Sequence, residues 1–324
     1  MNNNEMMSLK NTNIQISRWN CFKKQLPLQM FVLVGIAYLL IFSFVPMVGL
    51  VMAFKNYDIS MGPNGIFTSA WVGFDYFKEF FTDYNFNSLL KNTVCISLLK
   101  LVFTFPVPIL FAIMINDVKF TPFKKFAQTA SYLPHFISWV IISGIAFQFL
   151  SSNGVLNVFL MKLGFIKQPV SFLTSPDCFW GLAVLSDIWK EMGWWAIIFL
   201  AAITGISQDQ YEAAQIDGAG RLKRTWYITL PGIKETIVIV LILALGNLFG
   251  GGLSGSNFEQ SYLLGNSINN STSDIIQTYV FRVGLSQGRY AYATAVGLIQ
   301  STISLILILM SNSFSKKFAK TSLY

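Results

Sequence analysis

Charge is scarce in this chain. Asp, Glu, Lys and Arg make up 12% of its 324 residues, where a soluble globular domain carries about 25%. With 53% of the residues apolar, so thin a polar complement cannot cover a water-facing surface, which excludes an ordinary soluble enzyme and a disordered chain alike. Histidine is reduced to His135, too few for a His-rich metal site or a Ser-His-Asp triad with a ring in reserve. Following Pro134, that ring is expected to be a hydrogen-bonded residue at a helix end. The three cysteines, Cys21, Cys95 and Cys178, are odd in number, far apart and without zinc spacing, which excludes a disulfide scaffold. No G-x-x-x-x-G-K-[ST] string occurs, so the chain has no loop of its own to cradle ATP phosphates. No nucleophile–base pair stands out either, and neither catalytic nor metal-ligating residues are expected.

What is present is apolar sequence in long runs. A helix needs about 20 apolar residues to cross the hydrocarbon core. Six stretches meet or approach that length: residues 28–54, 89–115, 130–150, 179–203, 232–249 and 290–312. The first has no charge over its whole length, and with no small-residue cleavage site after it, it is a span rather than a signal peptide. The second carries Lys91 and Lys100 toward its first end. The fourth holds Asp187, Lys190 and Glu191, which at i, i+3 and i+4 can neutralise one another at the outer boundary or rim a water-filled cavity. The fifth runs into Gly250-Gly251-Gly252, expected to break the helix.

The net charge of +8 would point to nucleic acid in a soluble protein, but here its distribution reports orientation. Fourteen Lys and Arg residues lie in the N-terminal arm, the second–third connection, the fourth–fifth connection counted through Lys234 at the start of the fifth span, and the tail; six lie in the other three connections. That asymmetry places both termini in the cytoplasm of a six-span, all-α membrane protein, with an arm at 1–27, a membrane domain at 28–312 and a tail at 313–324. In the arm, Ile14, Ile16, Trp19 and Phe22 mix with Arg18, Lys23 and Lys24 as in a short surface helix.

Residues 205–231 are too polar to insert and read ISQDQYEAAQIDGAGRLKRTWYITLP from Ile206 to Pro231. Tyr211, Ala213, Ala214 and Gln215 suit one short helix, Asp217-Gly218 is a turn dipeptide, and Leu222, Trp226, Ile228 and Leu230 give a second helix its apolar face. Pro231 suits the first turn of the following span. Two helices about a glycine elbow make a rigid knob at the membrane surface. Glu212-Ala213-Ala214, then Asp217-Gly218-Ala219, then Ile228, Leu230 and Pro231 resemble the EAA loop of binding-protein-dependent ABC importer permeases. Tyr132 to Trp139, Asp274 to Leu285 and Tyr290 to Leu298 resemble the carbohydrate branch, most closely the subgroup that takes up oligosaccharides and polysaccharide fragments such as alginate.

The resemblance implies the type I ABC importer permease fold, with Glu212, Ala213, Ala214, Asp217, Gly218, Ala219 and Gly220 seated in a cleft of a partner ATPase. It implies two ATPase subunits that bind ATP and Mg, a second and different permease, an extracellular solute-binding protein and an oligosaccharide cargo, with no cofactor in this chain. Sugars are held by aromatic faces and by amide or hydroxyl groups. Trp189, Trp194, Asn247, Asn257, Glu259, Gln260, Tyr292 and Gln300 have the chemistry to line the path. A smaller sugar or another polar solute is the alternative cargo. An ion-coupled secondary carrier would need intramembrane ion sites and inverted repeats, and it would leave the polar loop without a purpose.

Overall fold

The computed structural model describes residues 25–318, so the expected surface helix around Ile14 to Phe22 lies outside the described residues. Among those residues the chain is helical, with one isolated antiparallel bridge between Lys55 and Trp71. It divides into two units, residues 1–51 and 52–324. The first unit is helix α1 (Leu26–Leu39), a widened π turn at Leu40–Phe44, and a short helix at Val45–Val48.

In the second unit, α2 (Phe86–Leu99), a π turn at Lys100–Thr104 and α3 (Pro106–Asn116) form one continuous helix. Then come α4 (Thr121–Tyr132), α5 (Trp139–Leu150) and the 29-residue α6 (Pro176–Thr204). The polar loop forms α7 (Gln208–Ile216) and α8 (Arg221–Arg224), followed by α9 (Lys234–Gly246), α10 (Asn257–Leu264), α11 (Ile276–Phe281) and α12 (Tyr290–Phe318).

Among the described residues, four helices are long and apolar enough to cross a membrane: Leu28–Phe54, Phe86–Asn116, Trp139–Lys162 and Tyr290–Ser313. Arg221–Gly232 and Lys234–Gly246, bent by 63°, give a fifth if taken as one span. Helix α6 is about 43 Å long at 1.5 Å per residue, but its three mid-helix charges set it apart from those spans.

Apolar side chains gather in three clusters. Phe105, just before α3, and Ile109 and Ala112 of α3 pack with Phe199 and Ile203 of α6 and Val240 of α9. Ile96, Phe179 and Leu264 join α2, α6 and α10, and Phe80, Leu89, Tyr279 and Tyr292 join the 75–82 helix to α2, α11 and α12.

Three sequence expectations need correction. The third span does not begin at residue 130: α4 ends at Tyr132, a 3-10 turn runs over Leu133–Phe136, and α5 starts at Trp139 with Ser138 as its cap. The break falls at Pro134, which has no N–H to continue the helix, and the carbonyls it frees are taken by a lysine described below. The second apolar helix starts at Phe86, so Lys100 sits at its middle rather than toward an end. Pro231 does not open the fifth span. It lies in the short segment Leu230–Gly232 at the 63° bend, and the span's own helix starts at Lys234.

Candidate functional site

The polar loop is built by local rules. Ser207 caps α7, its Oγ accepting from the Asp209 N–H at 3.3 Å. At the other end Ala219 N donates to Ala214 O (2.8 Å) and Gly218 N to Gln215 O (3.0 Å), the paired closure that ends a helix through a left-handed residue. Gly218 supplies that residue at φ +74°, where any Cβ would be strained. Asp217 contributes to the cap through its backbone, and Gly220 opens α8. The Tyr211 hydroxyl lies 3.0 Å from Thr229 Oγ1 and ties the two arms together. Glu212, Ala213, Asp217, Gly218 and Gly220 are exposed, and Ala214 and Ala219 half-buried. In the same loop Ile216 and Leu222 stand out at 87% and 86% exposure.

A second polar assembly lies inside the helices. Lys100, Asp187 and Ser256 meet there, all buried: Lys100 Nζ donates to Ser256 Oγ at 2.8 Å, Ser256 Oγ donates to Asp187 Oδ1 at 2.7 Å, and Nζ stands 3.5 Å from Oδ1. The glycine run makes this possible. Helix α9 ends at Gly246, and Gly251 at φ +113° turns the chain so that Ser256 points back at α6; a Cβ on Gly251 would meet the Ser256 and Asn257 nitrogens and Asn257 Oδ1 at about 3 Å.

One turn further along α6, Lys190 Nζ donates to the carbonyls of Pro134 (3.3 Å), His135 and Ile137 (2.9 Å), capping the broken α4 end. Glu191 Oε2 lies 2.9 Å from His135 Nδ1 and its Oε1 3.8 Å from Lys190 Nζ. The His135 ring stacks on Trp194, with centroids 4.3 Å apart and an interplanar angle of 1°.

The expectation that Asp187, Lys190 and Glu191 neutralise one another at a boundary is therefore corrected. Only Lys190 and Glu191 pair with each other. All three are buried, because their shared face turns into the helix contacts, where Lys100 and the freed carbonyls lie nearer than water. Lys100, Ser256 and the His135–Glu191 contact were not picked out from sequence. A lysine deep in an apolar helix was the signal for the first, since such a charge requires a partner.

The path candidates differ widely in exposure. Trp189, Asn247 and Glu259 are exposed, Trp194 is 37% exposed on His135, and Gln300 is half-buried. Asn247 holds the glycine turn, its Nδ2 donating to Gly252 O at 3.0 Å. Asn257, Gln260 and Tyr292 are buried. Asn257 Nδ2 reaches Ser97 Oγ (3.0 Å), Gln260 Nε2 reaches Ala183 O (2.9 Å), and the Tyr292 hydroxyl lies 3.2 Å from that of Tyr279.

Apolar helices around compensated buried charges, with an exposed helical elbow between them, suit a helical membrane domain. The chain belongs to the family of binding-protein-dependent transport system inner membrane components, which its residues 104–320 match. Protein LplB of Bacillus subtilis (strain 168) is 44% identical over 310 residues, 95% of this chain and 94% of that one. The polygalacturonan/rhamnogalacturonan transport system permease protein YteP of the same strain is 43% identical over 298 residues, 92% and 90% of the two chains. Among solved structures, a chain of the bacterial alginate ABC transporter in complex with an alginate pentasaccharide-bound periplasmic protein superposes with a TM-score of 0.84 at 40% identity, covering 94% of this chain and 99% of that one. The resemblance drawn from the motifs is thus a family relationship, and the secondary-carrier alternative is set aside.

Proposed function

We propose that this chain is the permease subunit of an ATP-driven importer for an oligosaccharide or polysaccharide fragment handed over by an extracellular binding protein. The exposed elbow carries the reading. An elbow with Glu212, Ile216 and Leu222 all exposed, on two arms joined through Gly218 and the Tyr211–Thr229 contact, is suited to transmit force from a docked partner. That partner is an ATPase pair holding ATP and Mg, with Glu212 through Gly220 in its cleft. A second, different permease completes the membrane domain.

Helix α6 counts as the sixth span in this reading. Its charges are met by Lys100, by the 134–137 carbonyls and by His135, so its remaining surface is free to face apolar surroundings. Both termini are cytoplasmic, with the arm at 1–27, the membrane domain at 28–312 and the tail at 313–324. The cargo passes Trp189, Trp194, Asn247, Glu259 and Gln300, while Asn257, Gln260 and Tyr292 shape the wall from behind. Those aromatic, amide and carboxylate groups suit a polyhydroxylated cargo, and the named cargoes of YteP and the alginate transporter support a saccharide.

Glu212→Ala tests the docking. Uptake of labelled oligosaccharide and stimulated ATP hydrolysis are expected to fall at equal membrane expression, and normal uptake would overturn the assignment.

A further inference from the structure

Next to the elbow, a cavity of about 300 Å³ opens between the end of α3 and the two arms of the loop. Its charged lining is Lys119, Arg221 and Arg224 against Asp117, with Tyr211 and Gln215 on the α7 side. Among the described residues none of these four charges enters an ion pair. The Arg224 Nε is buried without a hydrogen-bond acceptor in the chain. A buried guanidinium N–H normally finds an oxygen, and three cations against one carboxylate select an anionic one.

The cavity's flank identifies the source. Trp226 and Tyr227 lie two and three residues after Arg224 and are 68% and 74% exposed. The helix that carries them meets α9 at 63°. A helix steeply inclined to a span runs along the membrane surface, where Trp and Tyr rings prefer the head-group level. Basic pockets between helices on the cytoplasmic side bind anionic head groups.

We infer that this cavity holds the phosphate head group of an anionic phospholipid from the cytoplasmic leaflet. Arg221 and Arg224 present forked donors to the phosphate oxygens and Lys119 adds a point charge, while Trp226 and Tyr227 seat beside the acyl chains. A head group there bridges the end of α3 to both arms of the elbow, which makes coupling sensitive to lipid charge. The inference rests on the cytoplasmic placement of the loop proposed above.

The test uses the assembled transporter in detergent, titrated with short-chain phosphatidylglycerol, phosphatidylcholine or inorganic phosphate and observed by native mass spectrometry. One phosphatidylglycerol per copy of this chain is expected to survive conditions that strip phosphatidylcholine. The double change Arg221→Gln with Arg224→Gln should lower its occupancy about tenfold, and Lys119→Gln, at an exposed position that tolerates substitution, should lower it less. Lys223→Gln, outside the cavity, should leave it unchanged. Equal retention in every variant overturns the site, and displacement by equimolar inorganic phosphate overturns the lipid as its source. Loss of ATPase subunits with phosphatidylglycerol retained would mean that a partner carboxylate fills the cavity. Labelling of Lys223→Cys by an impermeant maleimide from outside the cell would instead remove the topology, independently of any lipid result.

Discussion

Asp83 is a residue whose environment sets its protonation. Burial alone would raise its pKa, but hydrogen bonds from the Tyr279 hydroxyl to Oδ2 (2.6 Å) and from Asn85 N to Oδ1 (2.7 Å) outweigh it and hold the carboxyl below the ordinary Asp value. A lowered folded pKa adds stability above the unfolded value, near 3.9, and that contribution disappears as pH falls through the folded one. Thermal unfolding followed from pH 7 to pH 3 should therefore lose stability at the acid end, and Asp83→Asn should flatten that part of the profile. An unchanged acid limb in the variant would remove Asp83 from the account. Lys100 makes the opposite kind of point, because its value depends on being matched. Lys100→Met strands the Asp187 carboxylate in a buried place, a loss of about 3–5 kcal/mol for a broken buried pair. Adding Asp187→Asn should recover part of it in the melting temperature of the purified protein, and no recovery would mean the pair is not coupled.

At the scale of the element, three of the widened helical turns share one cause. Leu40–Phe44, Lys100–Thr104 and Thr225–Thr229 each end two residues before a proline, Pro46, Pro106 and Pro231. A proline ring clashes with the carbonyl four residues back and brings no N–H, so the turn ahead of it opens instead of breaking. In α2–α3 that opening falls on Lys100, and in the loop it includes Trp226 and Tyr227. The elbow depends on a different device. Nothing lies within 4 Å of a Cβ placed on Gly218, so a side chain there is opposed by its φ alone. Gly218→Val should change the angle between α7 and α8 and reduce uptake and stimulated hydrolysis, whereas Gly218→Asn, which tolerates the left-handed region, should retain most of both. Equal activity in the two variants would separate the angle from coupling.

For the whole molecule, the basic asymmetry and the helix order make one prediction. A reporter fused after Lys223 should report cytoplasm and one fused within residues 267–272 the opposite side, as six spans require. Both positions lie in exposed stretches, near Leu222 at 86% and at Ile268 at 65% exposure. Finding the two on one side would remove the six-span arrangement. Lipid-facing and partner-facing surface cannot be told apart by hydropathy, since both are apolar.

Membrane residence, the order of the apolar helices, the two-helix glycine elbow and the family were all legible in the sequence, because each depends on neighbours a few residues apart. A run of about 20 apolar residues needs a bilayer wherever it folds, and an Asp-Gly after Glu-Ala-Ala closes a helix by bonds spanning five residues. The third span was misplaced because Pro134 ends a helix only together with something to receive its loose carbonyls, and that receiver is Lys190, 56 residues away. The same limit hid the buried centre. Lys100 reaches a serine 156 residues distant, which in turn bonds an aspartate 69 residues back along the chain. Three nearby charges on one helix face can be read as a self-contained set, but a buried charge takes the partner nearest in space. Only the tertiary approach of the π turn after α2, of α6 and of the turn after α9 decided which partner that is.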